Sequence, residues 1–297
     1  MRYNSHKKTY RKGDIHMNSL QINTGTLTQY RAYLAGTEKS IATIDKYLRD
    51  IRTFLKWMGE DPALSKERVI AYKYWLQEHY KTSSVNSMLT ALNCFLTYLG
   101  ASQSRVRTVK VQQQLFRPAE KELKREEYEK LLTTAREKGL EQTALIMETI
   151  GATGIRISEL KYITVEAVEK GRTEVTCKGK KRQIFIVRKL RDKLAAWCRQ
   201  KGICKGPVFV SRNNNPLDRS NIWSRMKAVA KAAGVDPGKV FPHNLRHLFA
   251  RVFWQKWKDI FYLADILGHS NVNTTRIYTV TTGENHARKL QTLGLVS

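Results

Sequence analysis

Four stretches in the first hundred residues place apolar side chains at spacings of three and four, and no strand pattern interrupts them. The clearest runs over 40–58. Ser40 is a good N-cap, Ile41, Ile44, Tyr47, Leu48, Ile51, Phe54, Leu55 and Met58 fall along one face, and Gly59 ends it. Leu27, Tyr30, Tyr33 and Leu34 predict a shorter helix before it. Ser65 opens a third with Val69, Tyr72 and Leu76, and a fourth spans about 84–99, carrying Met88, Leu89, Leu92, Phe95, Leu96 and Leu99 before Gly100. Four amphipathic helices with short joins can bury their stripes only against one another, which predicts a small bundle over 23–100.

The pattern breaks at 101–119, where Arg105, Arg107, Lys110 and Arg117 stand without an acid. This reads as a basic linker, reaching on the order of 60 Å if extended. From 120 onward the signal is mixed. Helices are expected near 125–138, 141–150 and after Gly154, and later at about 219–233, 243–256, 259–267, 271–278 and 284–292. Short strands are expected at 172–177 and 183–187 around the turn Lys178-Gly179-Lys180-Lys181, with a third at 207–210. The fold class is therefore mainly α with a small β-sheet: a flexible basic arm at 1–22, a helical domain at 23–100, the linker, and a second domain at 120–297.

Charge narrows the function. The 297 residues carry 53 Lys and Arg against 26 Asp and Glu, a formal net charge of +27. The excess is spread along the chain, +7 over residues 1–100 and +20 over 101–297, so it is not a basic tail alone. Such a balance points to a polyanionic partner, nucleic acid first. No window of 18 apolar residues exists, and the polar N-terminus lacks the apolar stretch of a signal peptide. Cys94, Cys177, Cys198 and Cys204 form no CxxC pair and read as reduced thiols of a cytoplasmic protein. HExxH, P-loop and EF-hand patterns are absent, so neither a metal nor another cofactor is expected.

Three short segments carry chemistry. In Phe241-Pro-His-Asn-Leu-Arg-His-Leu-Phe-Ala250, Pro242 suits a first helical turn, and His243 and Arg246, three apart, share a face. A His and an Arg beside a helix N-terminus suit a phosphate, although a surface helix start would look the same. In Leu267-Gly-His-Ser-Asn-Val-Asn-Thr-Thr-Arg-Ile-Tyr-Thr279, His269 follows a helix-ending glycine, Ser270 or Asn271 can cap the next helix, and Tyr278 lies at its end, where a packed aromatic is the blander reading. In Gly151-Ala-Thr-Gly-Ile-Arg-Ile-Ser-Glu-Leu160, Glu159 stands one turn beyond Arg156 and can orient its guanidinium, or form an ordinary surface pair.

Each segment alone is weak, but their order and spacing are specific. ATGIR-x-x-EL, H-x-L-RH-x-FA and LGHS-x-x-x-TT-x-IYT, with the Lys178 turn, resemble the signature of the tyrosine recombinase (phage-integrase) family, of the Xer-like type, over essentially all of 120–297. The helical first domain is similar, less specifically, to that family's SAM-like core-binding domain. The resemblance implies a site made of Arg156, Lys178, His243, Arg246, His269 and the nucleophile Tyr278, with Glu159 in support. It also implies double-stranded DNA with paired core sites, a synaptic tetramer, and a C-terminal helix at 284–292 that docks on a neighbour. Arg105, Arg107, Lys110, Lys180, Lys181 and Arg182 are the expected DNA-binding residues outside that site. Two departures stand out: Lys256-Trp257-Lys258-Asp259 replaces a glycine-containing turn, and Val280-Thr281-Thr282 follows the tyrosine.

The residue types suit phosphoryl transfer. Two guanidiniums can hold the non-bridging oxygens of a phosphodiester in forked hydrogen bonds while charge develops. A phenol with a reference pKa of about 10 needs a positive field or a base, for which His243 is the candidate. Lys178 would protonate the leaving 5′ oxygen, and His269 would bond a phosphate oxygen. The expected activity is site-specific recombination (integration, excision or resolution) through a 3′-phosphotyrosyl link. A type IB topoisomerase or telomere resolvase, and a DNA-binding regulator without catalysis, are the alternatives.

Overall fold

The computed structural model of the chain describes residues 24–59, 64–110, 121–177, 180–211, 213, 215, 217–269 and 271–278. The expected arm at 1–22, Lys178, the side chain of Lys180 and the helix at 284–292 lie outside the described residues. Two compact units divide the chain, Met1–Gln113 and Gln114–Ser297.

In the first unit α1 (Thr24–Gly36), α2 (Ile41–Met58), α3 (Lys66–His79) and α4 (Thr82–Tyr98) form the expected bundle. Ser40 and Ser65 cap α2 and α3, accepting from the backbone N–H of Thr43 and Arg68. The apolar stripes meet in a core that contains Tyr30, Ile51, Phe54, Tyr72, Leu89, Leu92 and Phe95, all at most 1% exposed. Edge-on ring pairs, Tyr30–Phe95 and Phe54–Tyr72, each have centroids 4.9 Å apart.

Residues 101–110 correct the reading of a linker that starts at 101. Ala101, Ser104 and Val106 are buried on this unit. Two asparagines of α4 grip the chain as a neighbouring strand would. Asn93 accepts from the N–H of Val106 and donates to its carbonyl at 3.0 and 2.7 Å, and Asn86 does the same for Val109 at 2.7 and 2.9 Å. Arg105, Arg107 and Lys110 keep exposed side chains.

The second unit is built around α6 (Glu141–Thr153), buried along most of its circumference. Packed on it are α5 (Arg125–Glu137), α8 (Arg188–Lys201), α9 (Arg219–Ala232) and α10 (Pro242–Trp257). A short α7 (Val165–Lys170) leads into β1 (Arg172–Cys177), which pairs antiparallel with β2 (Lys180–Phe185) from Arg172 opposite Phe185 to Cys177 opposite Lys180. Finally α11 (Ile260–Leu267) precedes two 3-10 turns, Val272–Thr274 and Arg276–Tyr278.

Several boundaries differ from expectation. The second strand starts three residues earlier than 183, because only two residues separate the strands, and Ile186 and Val187 leave the ladder as Val187 caps α8. Residues 207–210 form no strand: Pro207 makes one bridge to Thr164, and Val208 and Phe209 are both buried, so no alternation exists. The helix expected after Gly154 is a 3-10 segment, Ile157–Tyr162, and the helix expected over 271–278 is the two 3-10 turns. α8 was not anticipated, although Leu190, Leu194, Trp197 and Cys198 form its buried stripe.

The turn without glycine is made by Lys258 itself. Its φ is 55° and its N–H reaches the Trp254 carbonyl at 3.0 Å, after which Asp259 caps α11.

Replacing Asn93 by Ala should cost about 1–3 kcal/mol, since the Val106 amide loses a partner in a partly buried place. Urea denaturation measures the loss, and amide hydrogen exchange should accelerate across 105–110 before it does elsewhere in the unit.

Candidate active site

The site forms where α11 ends. A helix leaves its last carbonyls unpaired and its C-terminus partly negative. Here three guanidiniums take those carbonyls. Arg246 donates through Nη2 to Leu267 O at 2.6 Å, Arg156 through Nη2 to Gly268 O at 3.3 Å, and Arg182 through Nη1 to Ile266 O. Arg246 also donates to the Gly154 carbonyl at the end of α6. It is only 2% exposed, an arginine inside a protein core.

One carboxylate serves this cluster. Glu159 Oε1 accepts from Arg156 Nη1 at 3.0 Å, and Oε2 accepts from Arg182 Nη2 at 2.6 Å and from the Arg156 backbone N–H at 2.9 Å. Glu159 is 2% exposed, so this is no surface pair. Burial raises its pKa, but the Arg156 N–H and the two guanidiniums outweigh that and hold it below the usual carboxylate range. Among the described residues, three cations share this one buried anion, which leaves the cluster electropositive. Arg246 registers the excess, its pKa lowered to about 10 by burial and by the charges of Arg156 and Arg182.

Arg182 is a correction. Expected as a DNA-binding residue of the basic hairpin, it points inward, its side chain 11% exposed, and joins Glu159 to α11. β2 explains this: Val175 opposite it faces the core, and the two share a side of the pair. Lys181, on the other face, is exposed and pairs with Glu174 at 3.0 Å.

Two glycines permit the approach. Gly154 (φ 62°) would place a Cβ 2.5 Å from the Phe249 ring, and Gly268 (φ 64°) would place one 2.5 Å from Arg182 Cδ.

His269 leaves the Gly268 turn with both ring nitrogens engaged, Nε2 with Arg246 Nη2 at 3.2 Å and Nδ1 with Thr275 Oγ1 at 2.9 Å. A guanidinium can only donate, so Nε2 is bare and the proton sits on Nδ1. Burial and the charges of Arg246, Arg156 and Arg182 lower its pKa to about 4. The expected bond from His269 to a phosphate oxygen is therefore replaced, in the free protein, by bonds to Arg246 and Thr275.

Thr275, fully buried, accepts the Tyr278 N–H on its carbonyl at 2.9 Å. The Tyr278 ring, 4% exposed, meets the His247 ring edge-on at 4.9 Å and lies parallel to His269 at 6.3 Å. The phenol is near enough to Arg246 to favour its charged form. His243 is exposed at the start of α10 and shares a 2.8 Å hydrogen bond with His247. The structure thus brings together Arg156, Glu159, His243, Arg246, His269 and Tyr278. Thr275 and His247 were not singled out from sequence; His247 stands within the RH pair, but nothing in that pair marks it as a contact of both His243 and Tyr278.

Residues 121–284 match the phage integrase family, and residues 27–103 match the phage-integrase N-terminal SAM-like domain. The chain belongs to the phage integrase family. It is 30% identical over 274 residues to the tyrosine recombinase XerA of Thermococcus kodakarensis, covering 89% of this chain and 93% of that protein. Against the tyrosine recombinase XerD of Vibrio cholerae the identity is 29% over 256 residues, covering 80% and 85%. In fold it is similar to the XerH site-specific recombinase bound to difH substrate (TM-score 0.67, 18% identity, 91% of this chain and 85% of that one). It is also similar to a lambda integrase tetramer bound to a Holliday junction (TM-score 0.69, 19% identity, 86% and 76%). The family's mainly helical catalytic fold, preceded by its SAM-like domain, is the fold of this chain.

Glu159→Gln should destabilise the second unit by about 3 kcal/mol, the low end for breaking a buried ion pair because Arg156 is partly exposed. The shift in denaturation midpoint reads it.

For His269, nitrogen NMR of the free protein should find a neutral Nδ1–H ring at pH 6, with protonation only near pH 4. Its folded pKa lies below the ordinary 6.5, so the unfolded chain binds the proton first. Stability falls as pH drops from 6.5 toward 4, and Glu159, also depressed, removes more as pH falls through its folded value.

Proposed function

We propose that this family member is a site-specific DNA recombinase that cleaves and rejoins strands through Tyr278. The observation that carries the reading is a buried, under-neutralised arginine cluster with a tyrosine and an exposed histidine beside it. A phosphodiester supplies the missing negative charge. Arg156 and Arg246 bind its non-bridging oxygens and stabilise the pentavalent state, while Glu159 and Arg182 hold Arg156 in place. The Tyr278 oxygen attacks phosphorus, and its proton passes to His243. The bond from phosphorus to the 5′ oxygen breaks, and Lys178 protonates that oxygen. The product is a 3′-phosphotyrosyl ester and a free 5′ hydroxyl, which can attack in reverse after strands exchange. His269 steadies Arg246 until phosphate arrives. Two guanidiniums do the electrostatic work that metal ions do in many nucleases, so neither metal nor ATP is required.

The substrate is double-stranded DNA with paired core sites. Relatives include a recombinase bound to its DNA substrate and an integrase tetramer on a Holliday junction, which supports DNA binding and self-assembly here. Exposed Arg105, Arg107, Lys110 and Lys181, together with Lys180, contact backbone phosphates. The 284–292 segment docks on a neighbouring protomer of that assembly.

A nicked suicide duplex carrying the core site should trap a covalent complex that survives denaturation, with or without chelator. Tyr278→Phe should abolish the adduct, and Arg246→Ala should slow its formation by about 100-fold or more. No adduct with the unaltered protein, or an undiminished one with Tyr278→Phe, would defeat the reading.

A further inference from the structure

We propose that His247 is a positioning residue for strand cleavage, one buried ring that sets both the proton acceptor His243 and the nucleophile Tyr278. The inference rests on the recombinase reading and assigns a role to a residue that reading leaves unused. His247 follows His243 by one turn of α10, so the two rings lie on one face. They differ in setting: His243 is exposed, whereas His247 is 5% exposed. Their Nε2 atoms are 2.8 Å apart and their centroids 4.3 Å. The His247 ring also meets Tyr278, with centroids 4.9 Å apart and planes at 86°.

A hydrogen bond between two imidazole nitrogens holds one proton. One Nε2 donates and the other must be bare, so the bond couples the tautomers of the two rings. A solvent-exposed imidazole otherwise rotates freely about two side-chain bonds. Here a ring fixed by core packing points it, as the third member of a nucleophile–base–orienter set does. The same ring is a wall against which the tyrosine lies. Moving His247 would misplace acceptor and phenol together, and leave untouched the guanidiniums that bind phosphate and the lysine that protonates the leaving oxygen.

The test compares unaltered protein with His247→Phe, which fills the space without a nitrogen, and His247→Gln, which keeps an amide nitrogen near the place of Nε2. Single-turnover adduct formation is followed on a nicked core-site duplex, and on the same duplex with a 5′-bridging phosphorothiolate, whose sulfur leaves without a proton. DNA affinity and melting temperature are measured in parallel. We expect His247→Phe to cleave roughly tenfold to hundredfold more slowly at unchanged DNA affinity and melting temperature. His247→Gln should recover most of the rate, and the Phe defect should persist on the phosphorothiolate.

A His247→Phe rate equal to the unaltered protein overturns the assignment. A defect shared equally by Gln and Phe, or accompanied by lost folding or DNA affinity, makes the residue structural and overturns it too. A defect that vanishes on the phosphorothiolate places the fault at the leaving group, again against the proposal. Failure of the unaltered protein to form any adduct would instead remove the recombinase reading, and this inference with it.

Discussion

The end of α11 is the point on which the second unit turns. Its last carbonyls face inward, away from water, and would be costly if left bare. Arg156, Arg182 and Arg246, separated by up to 90 positions in sequence, converge to satisfy them. Crowding three like charges, two of them largely buried, is expensive in turn, and Glu159 offsets only part of that cost. The fold therefore stabilises itself with groups whose charge it does not fully balance. The remainder is available to an anion, and a structural cap and a phosphate cradle are the same atoms.

Much of the first unit was legible because its stability depends on periodicity alone. Ser40, Ser65 and the 3–4 spacing of apolar residues place both ends of α2 and the start of α3 within a residue. The stretch after 100 was misread because basic, acid-free composition resembles a linker. What fixes residues 101–110 is a pair of asparagines that sequence presents merely as polar positions of α4. Strand 207–210 failed for a related reason: adjacent buried apolar residues satisfy a core without a ladder, and Pro207 offers no donor.

In the site, Arg156, Glu159, His243, Arg246, His269 and Tyr278 were legible through the resemblance that the order and spacing of three strings carry; each string alone left a blander reading open. Arg182 went the other way. A basic residue just beyond a hairpin turn looks solvent-bound, and only the register of β1 against β2 shows which side it takes. Thr275 and His247 stand inside the quoted strings, but no role could be read for either, because their importance is relational. One is a hydroxyl under an imidazole, the other a ring between two rings.

From the Arg246 guanidinium to the tyrosine's backbone runs a line of hydrogen bonds: Arg246 to His269 Nε2, His269 Nδ1 to Thr275 Oγ1, and the Tyr278 amide to the Thr275 carbonyl. The ring that leans on the arginine therefore also leans on the residue that anchors the tyrosine's backbone, and the 3-10 turn bearing the phenol is fastened to the same corner of the fold as the cluster that an anion would enter.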